Sequence, residues 1–208
     1  MSLDRIALIS DVHGNLTALD AVLADIAGRG IHRVFNLGDT AGKGPRGEAA
    51  VQRCREACEV NVRGNWDDFL PGVADDPSAM EPLRWWHAEL SPESLAWLGA
   101  LPLSHDLVMS GRRIRLFHAS AESPHVRVHF HHTAEQFAGM FTNTEMTGDG
   151  PVPDVVGYAD IHDAYIESTD QKTLFNVGSV GNPLDIPEPS YVILEGVLDA
   201  EQPAPFGI

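Results

Sequence analysis

Cysteine and long apolar runs are scarce in this 208-residue chain, and each scarcity excludes a class of protein. Its two cysteines, Cys54 and Cys58, lie four residues apart in a predicted helix, where disulfide geometry is poor, so we expect both to be reduced. No apolar run reaches the roughly 18 residues that a membrane-spanning helix needs. The stretch "RIALIS" is too short for a secretion signal and leads into a charged loop, so a cytoplasmic location is expected.

Basic residues are scarce as well, because 14 Lys and Arg stand against 30 Asp and Glu, for a formal net charge of −16. This charge repels long nucleic acids and anionic membranes and favours the binding of cations. The hydrophobic fraction of 43% excludes a disordered chain. We expect one domain, residues 1–208, that buries about 70% of its unfolded surface. A Walker loop, a dinucleotide fingerprint and a nucleophile elbow are all missing from the sequence.

The first third of the chain alternates strand and helix patterns. "RIALIS" reads as a buried strand and is followed by apolar residues at helical spacing from Leu16 to Ile26. "RVFNLG" and "CEVNVRG" predict two further strands, separated by a second helix. Strands that alternate with helices indicate parallel pairing, with the loops at the carboxyl ends of the strands available for chemistry.

After the first third, the apolar pattern predicts a helix and then mainly strands. "SPESLAWLGAL" predicts a helix capped by Ser91, with Trp97 and Leu98 in the core. A hairpin is expected to turn at Ser110 and Gly111, and "TAEQ" at 133–136 is a capping box. Three more strands are expected around residues 155, 174 and 192.

Potential metal ligands follow the predicted strands in succession. They are Asp11, His13, Asp39, Asn65, His118, Asp160 and His162. Oxygen and imidazole ligands in this mixture suit manganese, iron, zinc or magnesium. The alternative is a metal-free network of ion pairs among the same side chains.

Six blocks resemble, in chain order, the signature of the calcineurin-like metallophosphoesterase superfamily. They are "DVHGN" (11–15), "GDTAGKGP" (38–45), "GNWD" (64–67), "FHAS" (117–120), "ADIH" (159–162) and "NVGSVGNP" (176–183). The last block resembles the tail of the small bacterial phosphodiesterase branch of that superfamily. The resemblance covers nearly the whole chain and implies an α/β fold in which two mixed β-sheets pack as a sandwich, with helices on the outer faces.

The resemblance also implies a centre of two divalent metal ions, with manganese or iron ahead of zinc and magnesium. Asp11, His13 and His162 would hold the first ion. Asn65, His118 and Asp160 would hold the second, and Asp39 would bridge the two. Asp39, Asn65 and His118 are the residues expected to carry the catalysis, with a bridging hydroxide as nucleophile. Two cations about 4 Å apart would clamp the phosphate oxygens and lower the pKa of a shared water.

The sequence departs from the family pattern at three positions. Trp66 stands where the family commonly has a histidine that binds phosphate or protonates the leaving group, and tryptophan has no titratable proton. Ala119 stands where a glycine is usual. Asp160 replaces a histidine, and a carboxylate in place of an imidazole adds negative charge and favours manganese, iron or magnesium over zinc.

Four further residues are candidates for substrate binding, and each has a structural alternative. Asn15 either caps the following helix or contacts a phosphate oxygen, and both roles are compatible. Arg63 either contacts phosphate or pairs with an acid. His125 and His129, in "SPHVRVHFHH", either face the substrate or belong to a solvated loop, and Arg127 of the same run has the same two alternatives.

The function expected from the sequence is metal-dependent hydrolysis of phosphate esters, by a phosphodiesterase or a nucleotide phosphoanhydride hydrolase. The alternatives are a phosphomonoesterase or protein phosphatase and, from another class, a non-catalytic phosphate-binding scaffold. The expected partner is a small phosphorylated molecule such as a nucleotide, with no long nucleic acid and no membrane. The oligomeric state is left open.

Overall fold

The computed structural model describes residues 3–208, which form two mixed β-sheets. The first sheet has the order β3-β2-β1-β9. Its strands are β1 (Asp4–Ile9), β2 (Arg33–Asn36), β3 (Val60–Asn61) and β9 (Val192–Gly196). The first three strands run parallel, and β9 lies antiparallel to β1.

The second sheet has the order β4-β5-β6-β8-β7. Its strands are β4 (Ser104–Met109), β5 (Arg112–Phe117), β6 (Val155–Tyr158), β7 (Tyr165–Thr169) and β8 (Lys172–Asn176). The three central strands β5, β6 and β8 are parallel, and the edge strands β4 and β7 are antiparallel to their neighbours.

Six α-helices connect and cover the sheets in residues 3–208. They are α1 (Leu16–Gly28), α2 (Gly47–Ala57), α3 (Asn65–Phe69), α4 (Glu81–Ala88), α5 (Pro92–Gly99) and α6 (Ala134–Gly139). A 3₁₀ turn at Leu70–Asp75 joins α3 to the segment before α4. None of the helices among these residues combines the length and the apolar character needed to cross a membrane.

The main core lies between the two sheets because β-strands present alternate residues to opposite faces. Ile6 and Leu8 of β1 point into this core and meet Leu116 and Phe175 of the second sheet. The residues between them in β1, Ala7 and Ile9, face the opposite way, against α1 and α2. The outer face of the second sheet packs against α6. The layers therefore run helix, sheet, sheet, helix, and this confirms the expected fold class.

Most of the predicted elements are confirmed, with differences at the edges. The hairpin turns at Ser110 and Gly111, which both have positive φ, and the capping box at 133–136 is formed. The third predicted strand shrinks to two residues, Val60–Asn61. Strand β7 was not predicted, because it is a short edge strand whose side chains are mostly exposed and polar. Leu98 is buried, but Trp97 is only half-buried. Cys54 and Cys58 are both free thiols.

We predict that truncating Leu8 destabilises the protein strongly, because its side chain is fully buried between the sheets. Leu8→Ala should lower the free energy of unfolding by about 2–5 kcal/mol, from lost apolar burial and the cavity left behind. The measurement is urea unfolding of metal-stripped protein. The matched control is Ile166→Ala, whose side chain in β7 is 57% exposed, and a loss for Leu8→Ala no larger than for this control would contradict the packing described.

Candidate metal centre

The loops after β1 and β2 continue the parallel pairing of their strands. The backbone N–H of Leu37 donates to Ile9 O at 2.8 Å, that of Asp11 to Gly38 O at 2.9 Å, and that of His13 to Asp39 O at 2.9 Å. The ladder thus extends beyond the strand ends and brings the Asp11 and His13 side chains beside Asp39.

The second sheet delivers its candidate ligands to the same place. The N–H of Ala159 donates to His118 O at 2.8 Å, so the residues that follow β5 and β6 stay adjacent. His118 also reaches across to the first sheet, where its Nδ1 donates to Leu37 O at 2.8 Å. Because the carbonyl oxygen can only accept, the neutral ring carries its hydrogen on Nδ1 and turns the lone pair of Nε2 toward the cluster.

Residues 176–182, the tail segment, join the two groups of loops. The Asn176 side chain donates to Ala159 O at 2.6 Å, on the second sheet. The N–H of Gly181 and the hydroxyl of Ser179 both donate to Asp11 O at 2.9 Å, on the first sheet. The tail segment also contacts a candidate ligand directly, because Asn182 O accepts from Nδ1 of His162.

Five candidate ligands have a left-handed backbone, a conformation that is uncommon for residues other than glycine. They are Asp11 (φ 53°), His13 (φ 48°), Asp39 (φ 56°), Asp160 (φ 65°) and His162 (φ 62°). Such conformations cost about 1–3 kcal/mol each and cluster at functional sites. The two Asp-x-His stretches, after β1 and after β6, thus share one backbone arrangement.

The loop of Asp39 is held by the buried carboxylate of Asp67. Asp67 accepts hydrogen bonds from the N–H groups of Asp39 at 2.8 Å, Thr40 at 3.0 Å and Gly64 at 3.0 Å. Gly64 is required there, since a Cβ atom would lie 2.2 Å from Asp39 Oδ1. The N–H of Trp66 donates to that oxygen at 2.9 Å, so α3 and the Asp39 loop are fixed together.

The side chains converge on a buried cluster. Nε2 of His13 lies 3.6 Å from Asp11 Oδ1 and 3.5 Å from Asp39 Oδ2. Nε2 of His162 lies 3.1 Å from Asp11 Oδ1. Nε2 of His118 lies 3.4 Å from Asp39 Oδ1 and 3.9 Å from Asp160 Oδ1. The two oxygens of Asp39 therefore face different histidines.

These residues fit divalent metal ions. Ligand atoms of Asp11, His13 and His162 lie within 4.8 Å of one another, and so do those of Asp11, Asp39 and His118. Besides Nδ1 of His13, three buried polar atoms of the candidate set lack a hydrogen-bond partner: Asp11 Oδ1, Asn65 Oδ1 and His118 Nε2. Buried polar atoms are rarely left without a partner, and a cation would satisfy all three. His118 and His162 also donate their second ring nitrogen to a backbone carbonyl, as metal-bound histidines do.

The electrostatics of the cluster favour positive charge. Burial alone would raise the pKa of Asp11, but the contacts with His13 and His162 outweigh it and hold that pKa well below its usual range. Burial alone would lower the pKa of His118, but the Asp39 carboxylate raises it to about 10. Burial and the charge of Asp39 also raise the pKa of Asp67, to about 7. A buried group of carboxylates that stabilises a cationic imidazole would stabilise a metal cation for the same reason.

Lys43 enters the cluster from the Gly-rich loop after β2. Its Nζ lies 2.9 Å from Nε2 of His13 and 3.4 Å from Nε2 of His162, and burial lowers its pKa. Its backbone is left-handed, and its ammonium group stands 5.6 Å from the ring centre of Trp66. Lys43 is not among the residues predicted from the sequence, and its place in "GDTAGKGP", within a ligand block, was the only available signal.

Trp66 forms a wall beside the cluster. Its ring meets that of His13 edge-on at 5.7 Å and packs against Phe69 and Trp86. Gly42 lies under the ring so closely that a Cβ atom would stand 2.1 Å from it. The Trp66 side chain is therefore held by packing on several sides.

The four substrate-binding candidates occupy different surroundings. Asn15 caps α1, accepting from the N–H of Ala18, and its amide donates to Gly181 O. Arg63 donates to Leu101 O and pairs with Asp68 at 2.9 Å. Nε2 of His125 lies 2.8 Å from the other oxygen of Asp68. His129 stacks on His131 at 5.6 Å. Arg63 and His129 thus contact residues outside the cluster.

The helix–sheet–sheet–helix layers with a buried Asp and His centre at the strand ends define a class, the metal-dependent phosphoesterases. Residues 5–197 match the family model described as "Calcineurin-like phosphoesterase superfamily domain". The chain is also 31% identical over 199 residues to an uncharacterised protein of Methanocaldococcus jannaschii, covering 91% of this chain and 82% of that protein. The chain belongs to the calcineurin-like phosphoesterase superfamily.

Solved structures agree with this assignment. A metallophosphoesterase from Sphaerobacter thermophilus superposes with a TM-score of 0.68 at 27% identity, covering 91% of this chain and 82% of that one. The phosphoesterase YfcE of Escherichia coli superposes with a TM-score of 0.55 at 19% identity, covering 94% and 97% of the two chains, and shares the fold. The protein is a metal-dependent phosphoesterase that acts on phosphate esters.

We predict that Asp67→Asn destabilises the protein more than Asp68→Asn. The amide keeps one acceptor oxygen and turns a donor toward backbone N–H groups, so at least one buried hydrogen bond to a charged acceptor is lost. Such bonds are worth about 1.5–3 kcal/mol each. Asp68 is the matched control, because it is partly exposed and pairs with Arg63 and His125. Both variants are measured by urea unfolding without metal, at a pH well above the Asp67 pKa of about 7 so that this carboxyl group is ionised. Equal losses would show that Asp67 does not hold the Asp39 loop.

Proposed function

We propose that this chain hydrolyses phosphodiesters or nucleotide phosphoanhydrides in a centre that holds two divalent metal ions. The observation that carries the proposal is the position of Asp39, whose Oδ2 lies 3.5 Å from His13 Nε2 and whose Oδ1 lies 3.4 Å from His118 Nε2. One carboxylate thus faces two histidine-containing halves of a buried cluster, as a bridging ligand would.

We assign Asp11, His13 and His162 to the half that holds the first ion, since their ligand atoms lie within 4.8 Å of one another. We assign His118, Asp160 and Asn65 to the half that holds the second ion. Nε2 of His118 lies 3.9 Å from Asp160 Oδ1, and the buried Oδ1 of Asn65 has no hydrogen-bond partner. Oxygen ligands prevail over nitrogen in the second half, which favours manganese or iron and disfavours zinc.

Two bound divalent ions would supply Lewis acidity toward the phosphate oxygens and a water of lowered pKa. The chain itself contributes orientation and charge. His118 is held by its bond to Leu37 O, and Asp39 is held by the N–H of Trp66. Lys43 brings a partly buried ammonium group next to His13, where it could bind a phosphate oxygen and balance the charge of the transition state.

The leaving group is the least assisted part of the reaction. Trp66 stands beside His13 and cannot donate a titratable proton. Substrates whose leaving groups depart without protonation, such as aryl oxides and phosphorylated nucleotides, are therefore favoured over esters of simple alcohols. This is the reason to place phosphodiesters and phosphoanhydrides ahead of alkyl phosphomonoesters and phosphoproteins.

A non-catalytic phosphate-binding scaffold is the second candidate. The observation that favours it is the pairing of both Asp160 oxygens with Arg127, which competes with metal for that carboxylate. Turnover separates the two functions: bis-p-nitrophenyl phosphate is assayed with manganese from pH 6 to pH 9, alongside dinucleoside polyphosphates, cyclic nucleotides and aryl phosphates. Folded, metal-loaded protein that turns over none of them would leave the scaffold as the better description.

We predict that Asp39→Asn weakens the binding of both metal ions, because one carboxylate faces both halves of the cluster. The bound manganese per chain, measured by elemental analysis after equilibrium dialysis, should fall from two toward none. Asp20→Asn, at a surface ion pair with Arg53, is the matched control and should keep both ions. Two ions retained in Asp39→Asn would contradict a bridging role.

We predict a steep dependence of rate on the leaving group. Along a series of aryl phosphodiesters, log kcat/KM should fall steeply as the pKa of the leaving group rises, and Trp66→His should flatten the slope by restoring a proton donor. Trp66→Phe, which keeps an aromatic wall over Gly42, is the control and should keep the steep slope. A shallow slope in the unmodified protein would mean that another group donates the proton, with His125 and His129 as the first candidates.

A further inference from the structure

The most distinctive contact at the centre is the ion pair between Asp160 and Arg127. Nε of Arg127 lies 2.7 Å from Asp160 Oδ2, and its Nη2 lies 2.8 Å from Oδ1, so the pair is bidentate. The Asp160 side chain is 3% exposed, whereas that of Arg127 is 51% exposed. A side chain from the surface therefore reaches a carboxylate inside the cluster.

Other arginine–carboxylate pairs in the chain differ in how their partners are buried. In the Arg53–Asp20 and Arg29–Asp25 pairs both side chains are substantially exposed, and such pairs contribute little to stability. Arg115 with Asp106 reverses the arrangement, with the arginine buried and the carboxylate partly exposed. The Arg127 pair alone among these places its acid within reach of a candidate metal ligand, because Asp160 Oδ1 lies 3.9 Å from Nε2 of His118.

The Arg127–Asp160 pair compensates the extra negative charge that Asp160 brings to the cluster. A carboxylate at 160, in place of a neutral imidazole, adds one negative charge beside Asp11 and Asp39. Arg127 adds one positive charge, which cannot be lost at any ordinary pH. Its fork occupies two of the roughly four lone-pair positions of a carboxylate, so the Asp160 oxygens keep lone pairs for another cation.

The geometry points to Arg127 as a positioning residue that makes Asp160 resemble, in net charge, the imidazole it replaces. Arg127 neutralises Asp160 and thereby weakens the binding of a divalent ion in the half of the centre formed by His118, Asn65 and Asp160. This inference rests on the proposed two-ion centre. It also changes what Asp160 contributes to the centre. Asp160 still offers an oxygen ligand in place of a nitrogen ligand, but Arg127 cancels the negative charge that the carboxylate adds.

The effect on the second ion has a definite direction. Removing the guanidinium leaves Asp160 as an uncompensated carboxylate beside the ion, and the loss of one positive charge within a few ångströms is large at a partly buried site. The second manganese should then bind about tenfold more tightly or better. The first ion, on the side of Asp11, His13 and His162, should change less because the carboxylate that pairs with Arg127, Asp160, is assigned to the second ion.

The test is titration of metal-stripped protein with manganese by isothermal calorimetry, with elemental analysis as a check on stoichiometry. Arg127→Met keeps the aliphatic stem and removes charge and donors, Arg127→Gln repeats the neutralisation with a polar side chain, and Arg127→Lys keeps the charge without the fork. Arg53→Met is the matched control for removing an arginine from an ion pair. We expect the Kd of the second manganese ion to fall in Arg127→Met and Arg127→Gln and to fall less in Arg127→Lys. It should stay unchanged in Arg53→Met.

The same substitution in an Asp160→His background checks that Asp160 is the residue through which Arg127 acts. Without its anchor the half-exposed guanidinium can turn to solvent, so Arg127→Met should change the second Kd by less than about threefold there. An unchanged or weaker second site in Arg127→Met, in protein that binds two ions, would overturn the inference. An equal effect in both backgrounds would overturn it too.

The outcome is separable from that of the proposed function. The titration uses no substrate, so a protein that binds two ions and responds to Arg127→Met as expected supports the inference even if it turns over nothing. If neither the unmodified protein nor Arg127→Met takes up a second ion, both the inference and the two-ion centre fail. Normal turnover with no response of the second Kd would remove the inference alone.

Discussion

The hydrogen bonds from the tail segment to both sheets are the constraint on which the rest of the centre depends. The backbone hydrogen bonds within each sheet bring together only the loops that follow the strands of that sheet. Asn176 and Ser179 then tie the loop after β6 to the loop after β1, and His118 closes the other side through Leu37 O. Without these cross-connections the loops of the two sheets would be positioned mainly by packing of the apolar core between the sheets, which is less directional than a hydrogen bond.

The carboxylates at the centre are partly balanced by basic side chains that come from other parts of the chain. Three buried carboxylates, Asp11, Asp39 and Asp160, gather within a cluster that also receives Lys43 and Arg127. Burying several like charges is unfavourable unless cations accompany them. The two basic side chains provide part of that compensation from within the protein and leave the remainder to be supplied by metal ions. The strength of metal binding is thus set by the chain as well as by the ion.

Much of this architecture could be predicted from the sequence because its causes are local. Strand and helix patterns, the capping box at 133–136 and the order of the ligand blocks all lie within short windows. Strand β7 escaped because an exposed edge strand has no apolar pattern. Lys43 and Asp67 were not predicted as members of the centre because the ligand residues that they contact, His13 and Asp39, lie 28 or more residues away along the chain. Arg127 was expected near the substrate phosphate, but its pairing with Asp160, 33 residues away, was not predicted. Contacts of that kind depend on the assembled sheets.

The shared left-handed backbone of the two Asp-x-His stretches has a consequence for how such a centre evolves. At these positions the chain, and not the chemical nature of the side chain, sets the direction in which the side chain leaves the backbone. An aspartate or a histidine at 160 would start from the same Cα and leave it in the same direction, toward the other ligands. The identity of a ligand can therefore change in one mutational step without remodelling the loop. Such a centre can then adapt to a different available metal by exchanging ligand side chains on an unchanged backbone. A nearby residue of opposite charge would compensate the change in charge of the ligand.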